Sequence, residues 1–172
     1  MKKTTRSAQL AVLAAAFAFI LPATAQVYDN AASATFNVNL TIDADCTIAA
    51  NPLNFGASGV LDTNIDAETT LDVTCTSTTP YNIGLDAGNV AGSTVANRLM
   101  AGTAGGTATT VAYQLYQDPA RATVWGDTQA TDTLGGVGAG TAQSIPVYGR
   151  VPAQDTPSPD TYQSTVTATV YF

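Results

Sequence analysis

The sequence predicts an all-β domain, most simply a single antiparallel β-sandwich. Apolar and polar residues alternate in several segments, which is the pattern of half-buried strands, and turn-forming clusters rich in Gly, Asn and Pro separate these segments. Charged residues make up only 11% of the 172 residues, against about 25% in an ordinary soluble domain. The Thr, Ser, Asn and Gln that replace them suit strands and turns better than helices.

Residues 1–25 are predicted to be a secretory signal peptide. Two lysines and an arginine precede the apolar run at residues 10–21, and an Ala-Thr-Ala cleavage site ends at Ala25. The alternative is an N-terminal membrane anchor, but this run is too short to span a bilayer as a permanent helix. We therefore expect an exported chain that begins at Gln26.

The exported chain is acidic and lacks the side chains of common catalytic sites. Three arginines stand against thirteen acidic residues, a net charge of −10, and neither histidine nor lysine remains. Their absence excludes a Ser-His-Asp relay, an imidazole metal site and Schiff-base chemistry. Three dispersed arginines do not neutralise a phosphate backbone, so we predict no nucleic-acid binding. Because the catalytic and metal-binding side chains named above are missing, we also predict no cofactor, no metal and no enzymatic activity.

Two acidic motifs are candidate sites. Asp43 and Asp45 lie on one side of a strand as a carboxylate pair, but a solvated strand end explains them better. Residues 62–66 resemble the opening of a calcium loop, which fails because Ala67 and Val73 replace the required glycine and glutamate.

The first predicted strand covers residues 34–42 and follows a flexible polar segment, residues 26–33. Alternate residues give it one apolar face, formed by Phe36, Val38, Leu40 and Ile42. Burial of these four side chains would contribute at most about 6–12 kcal/mol.

The remaining strands follow from the same alternation. The apolar positions that define them are Leu71, Val73 and Cys75; Tyr81, Ile83 and Leu85; Val111, Tyr113 and Leu115; and Ile145, Val147, Gly149 and Val151. A short strand is expected at residues 122–126, and a final strand covers residues 162–172, with Val166, Ala168, Val170 and Phe172 on one face. Glycine-rich and proline-rich stretches at residues 89–92, 102–106, 135–140 and 152–159 are predicted loops.

The only cysteines, Cys46 and Cys75, are predicted to form a disulfide, because an even pair in an exported protein is most simply bonded. The bond would close a loop of about 30 residues and stabilise the fold by roughly 3–4 kcal/mol.

The two ends of the chain suggest how one copy could associate with another. The final strand has no later strand to pair with and leaves an open sheet edge. One hypothesis is that the sandwich lacks its last strand and that residues 34–42 of another copy fill the gap, which would build a head-to-tail fibre. The alternative is that residues 34–42 are the first strand of a self-contained sandwich.

Several segments, in this order, resemble the spore coat U domain family, which includes the Csu-type major pilins of the archaic chaperone–usher pathway. They are the alternating segment that leads into residues 43–46, Leu53-Asn54-Phe55-Gly56, residues 71–75, residues 113–116, residues 145–151 and the closing strand at residues 162–172. The resemblance extends over the whole length after the signal peptide.

The resemblance implies an incomplete immunoglobulin-like β-sandwich, residues 43–172, completed by donor-strand exchange. A periplasmic chaperone would supply the missing strand first, and an outer-membrane usher would exchange it for the donor strand of the incoming subunit. The implied product is a homopolymeric surface pilus that serves adhesion and biofilm formation. Phe36, Val38, Leu40 and Ile42 would be the donor residues. Val166, Ala168, Val170 and Phe172 would line the acceptor groove, with the terminal carboxylate as chaperone anchor, and the disulfide would tie the first core strand to its neighbour.

Two other functions remain open at this stage. A small outer-membrane β-barrel would use the alternating C-terminal segment that ends at Phe172 as its closing strand. A secreted carbohydrate-binding β-sandwich would use aromatic stacking platforms, for which the candidates are Trp125, Tyr113, Tyr116, Tyr148 and Tyr162.

Overall fold

The computed structural model describes residues 29–104 and 109–172, so the predicted signal peptide lies outside the described residues. All regular elements in this part are β-strands, and no helix in it is long and apolar enough to cross a membrane. The chain divides into two compact units, Met1–Leu40 and Thr41–Phe172. In the first unit, residues 29–40 form no strand and are exposed.

The second unit contains nine strands among its described residues. They are β1 (Cys46–Ala50), β2 (Ile65–Cys75), β3 (Pro80–Leu85), β4 (Arg98–Gly102), β5 (Thr110–Tyr116), β6 (Leu134–Val137), β7 (Gln143–Val151), β8 (Tyr162–Gln163) and β9 (Ala168–Tyr171).

The strands form two antiparallel sheets. One sheet has six strands in the order β1-β2-β7-β5-β4-β8, and the other has three in the order β6-β3-β9. The longest pairing joins β2 and β7, from Ile65 opposite Val151 to Val73 opposite Gln143. Strand β1 is thus an edge of the larger sheet, and β9 is an edge of the smaller one.

The core lies between the two sheets and uses the apolar positions of the predicted strands. Strand β2 contributes Leu71 and Val73, β3 contributes Ile83, and β7 contributes Val147, all at most 3% exposed. These residues recur at every second position because successive side chains of a strand point to opposite faces of the sheet. The all-β prediction and the strands within β2, β3, β5 and β7 are therefore confirmed.

The C-terminal strand is not continuous, contrary to the prediction for residues 162–172. Strand β8 pairs with β4 in the larger sheet, whereas β9 pairs with β3 in the smaller sheet. The segment that joins them, residues 164–167, pairs with no strand. It must leave one sheet to reach the other, so a single uninterrupted ladder is impossible.

Two local predictions were also wrong. The glycine-rich stretch at residues 135–140, predicted as a loop, begins inside β6, where a Cβ on Gly136 would collide with the ring of Tyr81. Glycine is therefore used here to admit an aromatic neighbour. The short strand expected at residues 122–126 is reduced to one isolated bridge between Tyr116 and Val124.

Candidate functional site

An open apolar groove lies between two unpaired strand edges of the second unit. One rim is the end of β1 and the residues that follow it, and the opposite rim is the segment from β8 to β9. The cavity between the rims has a volume of about 540 Å³. Its apolar lining comes from both sheets: Leu53, Phe55, Leu71, Leu85, Met100, Tyr113, Leu115, Val147, Val166 and Ala168.

A second cavity, of about 550 Å³, shares Leu53, Phe55, Met100 and Tyr162 with the first. Residues 53–61 bound it on one side and residues 156–162 on the other. The two cavities are therefore adjacent and share part of their lining.

The β1 rim offers backbone groups that its sheet does not use. The carbonyl of Asp45 accepts from the amide of Thr76, and the amide of Asn51 donates to the carbonyl of Thr70. In an antiparallel pair, alternate residues direct both backbone groups to the partner strand, and the residues between them direct both groups away. Cys46, Ile48 and Ala50 therefore present their backbone groups on the edge that faces away from β2.

The opposite rim shows the same alternation. The carbonyls of Thr161, Thr165 and Thr167 accept backbone hydrogen bonds from the interior side, at 3.0, 3.0 and 3.1 Å. The even-numbered residues between them, Ser164 and Val166, direct their backbone groups to the other side. The groove therefore combines an apolar floor with strand edges on both sides, which is the arrangement that binds an added β-strand.

The side chains of the apolar face of residues 34–42 are exposed. Phe36, Val38, Leu40 and Ile42 are 86%, 83%, 85% and 74% exposed. Such a row of exposed large apolar residues is rare on a soluble monomer and marks an interaction site. From Phe36 to Ile42 an extended strand covers about 20 Å, at roughly 3.3 Å per residue.

Comparison with known proteins identifies the family. The model of the Spore Coat Protein U domain matches residues 32–169. The chain belongs to the Spore Coat Protein U domain family. Among curated proteins it is similar to Protein U of Myxococcus xanthus, with 34% identity over 157 residues, which is 83% of this chain and 87% of that protein. The predicted resemblance to spore coat U domains is confirmed.

A solved structure shows that this spore coat U domain shares its fold with a chain of a pilus assembly complex. The match is to the crystal structure of the CsuC–CsuE chaperone–tip adhesion subunit pre-assembly complex from archaic chaperone–usher Csu pili of Acinetobacter baumannii. The TM-score is 0.58 at 24% sequence identity, over 77% of this chain and 41% of that one. The spore coat U domain thus spans about two fifths of the matched chain. This likeness supports the predicted fold class, an incomplete β-sandwich.

The structure separates the four residues predicted for the acceptor groove. Val166 and Ala168 line the cavity, whereas Val170 does not line it and packs against the buried core. Phe172, at the chain terminus, is 59% exposed. Two of the four predicted residues therefore line the cavity, and the alternation carried no information about where this lining ends.

The predicted disulfide between Cys46 and Cys75 is confirmed. The two residues are direct partners in the pairing of β1 with β2. The bond therefore fixes the start of β1 to the end of β2, and with it the strand whose free edge forms one rim of the groove.

Arg98, Arg121 and Arg150 occupy two different environments. Arg150 donates two hydrogen bonds to the carboxylate of Asp66, at 2.7 and 2.8 Å, and the Nε of Arg121 lies 3.3 Å from the same carboxylate. The hydrogen bond from Arg150 holds the pKa of Asp66 below its ordinary value. Arg121 also lies over the ring of Tyr148, 5.8 Å from its centroid. Asp66, which the calcium-loop motif included, is thus an ion-pair partner on the sheet surface.

Arg98 is fully buried and binds no carboxylate. Its guanidinium donates to the carbonyls of Asp86, Leu85, Trp125 and Val95 and to the side-chain oxygen of Gln114. Burial lowers the pKa of Arg98 below its ordinary value, and the nearby Tyr113 and Asp86 oppose this shift. The guanidinium remains protonated at neutral pH.

The other candidate sites gain no support from the geometry. Trp125 is fully buried and donates its indole N–H to the carbonyl of Ile83, and Tyr113 is 5% exposed, so neither offers a stacking platform. Asp43 and Asp45 lie in an exposed segment outside the strands. In residues 29–104 and 109–172, no group of three or more acidic or sulfur-containing side chains is arranged to hold a metal ion.

Sequence reasoning missed the role of several groove residues. Leu53 and Phe55 appeared only as part of a family segment, because Pro52 and Gly56 interrupt any alternation there. The ring of Phe55 contacts that of Tyr113 edge to face, with centroids 6.5 Å apart. Met100 lies in β4, a strand with no clear alternating pattern. These residues form one surface only because the fold brings distant segments of the chain together.

Proposed function

We propose that this spore coat U domain protein is a structural subunit of a surface pilus of the chaperone–usher class. Its membership of the family and its fold likeness to a chain of the Csu chaperone–subunit complex support this class. The observation that carries the proposal is the open apolar groove between two strand edges, in a chain that also exposes an alternating apolar segment.

Residues 34–42 of a second copy are the proposed occupant of the groove. Phe36, Val38, Leu40 and Ile42 would enter the apolar floor, while Asn37 and Asn39 face solvent. Burial of the four apolar side chains would contribute at most about 6–12 kcal/mol. Each added strand would also pair its backbone with the unpaired rims. The contact is head-to-tail, so it does not close and extends into a fibre.

The same groove is the proposed binding site of a periplasmic chaperone before assembly, and an outer-membrane usher would exchange the two strands. Val166 and Ala168 are the acceptor residues that line the cavity. Val170 and Phe172 would continue the rim beyond the cavity. The subunit would be exported through the periplasm, displayed as an acidic fibre, and serve adhesion and biofilm formation. No cofactor enters this function.

The experiment is to measure fibre yield in cells that express the complete assembly system with single substitutions in the donor segment. Phe36→Asp and Leu40→Asp should abolish fibres while the amount of chaperone-bound subunit stays unchanged, because the groove itself is intact. Asn37→Asp and Asn39→Asp are matched controls, since they add the same charge to the opposite face of the same strand, and they should leave fibre yield near that of the wild type.

Two results would contradict the proposal. One is an unchanged fibre yield in Phe36→Asp and Leu40→Asp. The other is an equal loss in the two asparagine variants, because this would mean that any added charge blocks assembly and that the apolar face has no special role.

A further inference from the structure

The C-terminal segment forms one rim of the groove, and a loop supports this rim at residues 164–167, which belong to neither sheet. Residues 164–167 pair with no strand, and their neighbour is the start of the connection between β3 and β4. The amide of Asp86 donates to the carbonyl of Thr167 at 3.1 Å, and the amide of Asn89 donates to the carbonyl of Thr165 at 3.0 Å. The loop therefore replaces the missing strand partner.

Side chains of the same two loop residues complete the pairing. The amide of Thr167 donates to Oδ1 of Asp86 at 2.9 Å, and the amide of Thr165 donates to Oδ1 of Asn89 at 2.8 Å. Every backbone group of Thr165 and Thr167 is thus bound to Asp86 or Asn89. We call residues 86–89 the brace.

The brace is itself held in place from the core. The buried Arg98 donates to the carbonyl of Asp86 at 2.9 Å, and the amide of Gly88 donates to Oδ1 of Asp86 at 2.9 Å. Gly88 has a φ of +85°, and a Cβ there would lie 2.6 Å from Oγ of Ser164. Glycine therefore allows the brace to approach the rim closely, in a conformation that other residues rarely adopt.

We propose that Asp86 and Asn89 are positioning residues that set the rim of the groove for the incoming strand, an inference that rests on the proposed function. Because they bind the odd-numbered residues 165 and 167 on the interior side, the backbone groups of Ser164 and Val166 are fixed towards the groove. Strand addition then requires little further ordering of this rim. Without the brace, residues 164–167 would have to be ordered during binding, which weakens the affinity.

The test measures the affinity of the groove for a synthetic peptide of residues 34–42. The acceptor is the full exported chain with Phe36→Asp and Leu40→Asp, which leaves the groove unchanged and prevents the chain from filling another copy. Urea unfolding is followed by the fluorescence of Trp125, the single buried tryptophan. The rise of the unfolding midpoint with peptide concentration gives the affinity, because a ligand that binds only the folded state stabilises it.

The variants in this acceptor are Asp86→Ala and Asn89→Ala, each with a conservative partner, Asp86→Asn and Asn89→Asp, that keeps the accepting Oδ1. We expect each alanine variant to bind the peptide about tenfold more weakly, equivalent to about 1.4 kcal/mol, and each conservative variant to restore the affinity. Asp118→Ala is the matched control. Its carboxylate also accepts from backbone amides, those of Ala122 and Thr123, but it does not contact the rim.

The outcomes separate this inference from the proposed function. No peptide dependence in the parent acceptor would overturn the proposed function itself. Normal peptide dependence with equal affinity in the parent, Asp86→Ala and Asn89→Ala would overturn the brace alone. An equal loss of affinity in Asp118→Ala would also overturn it, because the effect would then reflect general stability. If Asp86→Ala does not fold, the comparison of Asn89→Ala with Asn89→Asp decides, since Asn89 is exposed.

Discussion

Replacement of Arg98 by methionine should be among the most destabilising single changes in the described domain. The side chain of Arg98 is fully buried, and its guanidinium makes five hydrogen bonds of 2.6 to 3.3 Å. Four of the acceptors are backbone carbonyls, from Leu85, Asp86, Val95 and Trp125. Methionine fills a similar volume but donates no hydrogen bond, so these acceptors lose their partner in the interior.

The magnitude follows from the cost of unsatisfied groups. Each buried acceptor left without a partner costs about 1–3 kcal/mol, although relaxation and water recover part of this. Four buried carbonyls lose their donor together, which leaves about 3–5 kcal/mol in total after this recovery. We therefore expect Arg98→Met to lower the free energy of unfolding by about 3–5 kcal/mol. At about 2–4 °C per kcal/mol, this is a fall of roughly 10 °C in Tm.

The assay is urea unfolding of residues 26–172 with the disulfide intact, followed by tryptophan fluorescence. Arg150→Met is the matched control, because Arg150 forms an exposed ion pair with Asp66 on the sheet surface. Exposed pairs contribute about 0–1 kcal/mol, so the control should lose no more than that. Arg98→Lys should fall between the two, since an ammonium group has fewer donors and cannot reach all five acceptors.

A loss below about 1 kcal/mol in Arg98→Met, or a loss equal to that in Arg150→Met, would refute this reasoning. It would mean that the two sheets and the β3–β4 connection hold together without the buried guanidinium. The consequence would extend to the brace, because Arg98 holds its first residue, Asp86.

Three further predictions concern the frame of the groove. Joint replacement of Cys46 and Cys75 by serine should lower the free energy of unfolding by about 3–4 kcal/mol on the chain-entropy model, measured by urea unfolding against the oxidised wild type. Burial raises the pKa of Asp86, but hydrogen bonds from backbone amides and the charge of Arg98 outweigh this and lower it below 3.8. Its stabilising effect is present above pH 3.8 and lost as the pH falls through the lowered pKa, so the stability gap between wild type and Asp86→Asn should narrow in acid titration; a gap as large in acid as at neutral pH would contradict this. Gly149→Ala should cost about 1–3 kcal/mol, because its Cβ would lie 2.5 Å from Leu53; unchanged thermal unfolding would contradict the contact.

The alternation of apolar and polar residues was enough to predict the central strands, because burial of every second side chain leaves a local pattern in the sequence. Val73, Ile83 and Val147 lie in the core as the alternation requires. The same reasoning found the apolar face of residues 34–42 and the wall that contains Val166. It failed for the C-terminal strand, since no local pattern states that β8 and β9 pair in different sheets.

The contacts of the arginines also could not be predicted from a local sequence pattern. In the sequence they are dispersed, and nothing distinguishes Arg98 from Arg150. The structure buries Arg98 among carbonyls of β3 and of the connecting segments beside it, and it places Arg121 and Arg150 around one carboxylate. Apart from Val95, these partners are 12 to 84 positions away in the chain, so spacing does not reveal them.

The sequence by itself determined the fold class, the disulfide pair, the family and the exposed alternating segment. These depend on composition, on the even number of cysteines and on the order of segments along the chain, all of which can be read without the fold. Only the tertiary structure decided that two unpaired strand edges face each other across an apolar groove, and that residues 86–89 support one of these edges. The physical reason is that a sheet edge is defined by the absence of a hydrogen-bonded neighbour. Which strand lacks a neighbour depends on how all the others pair.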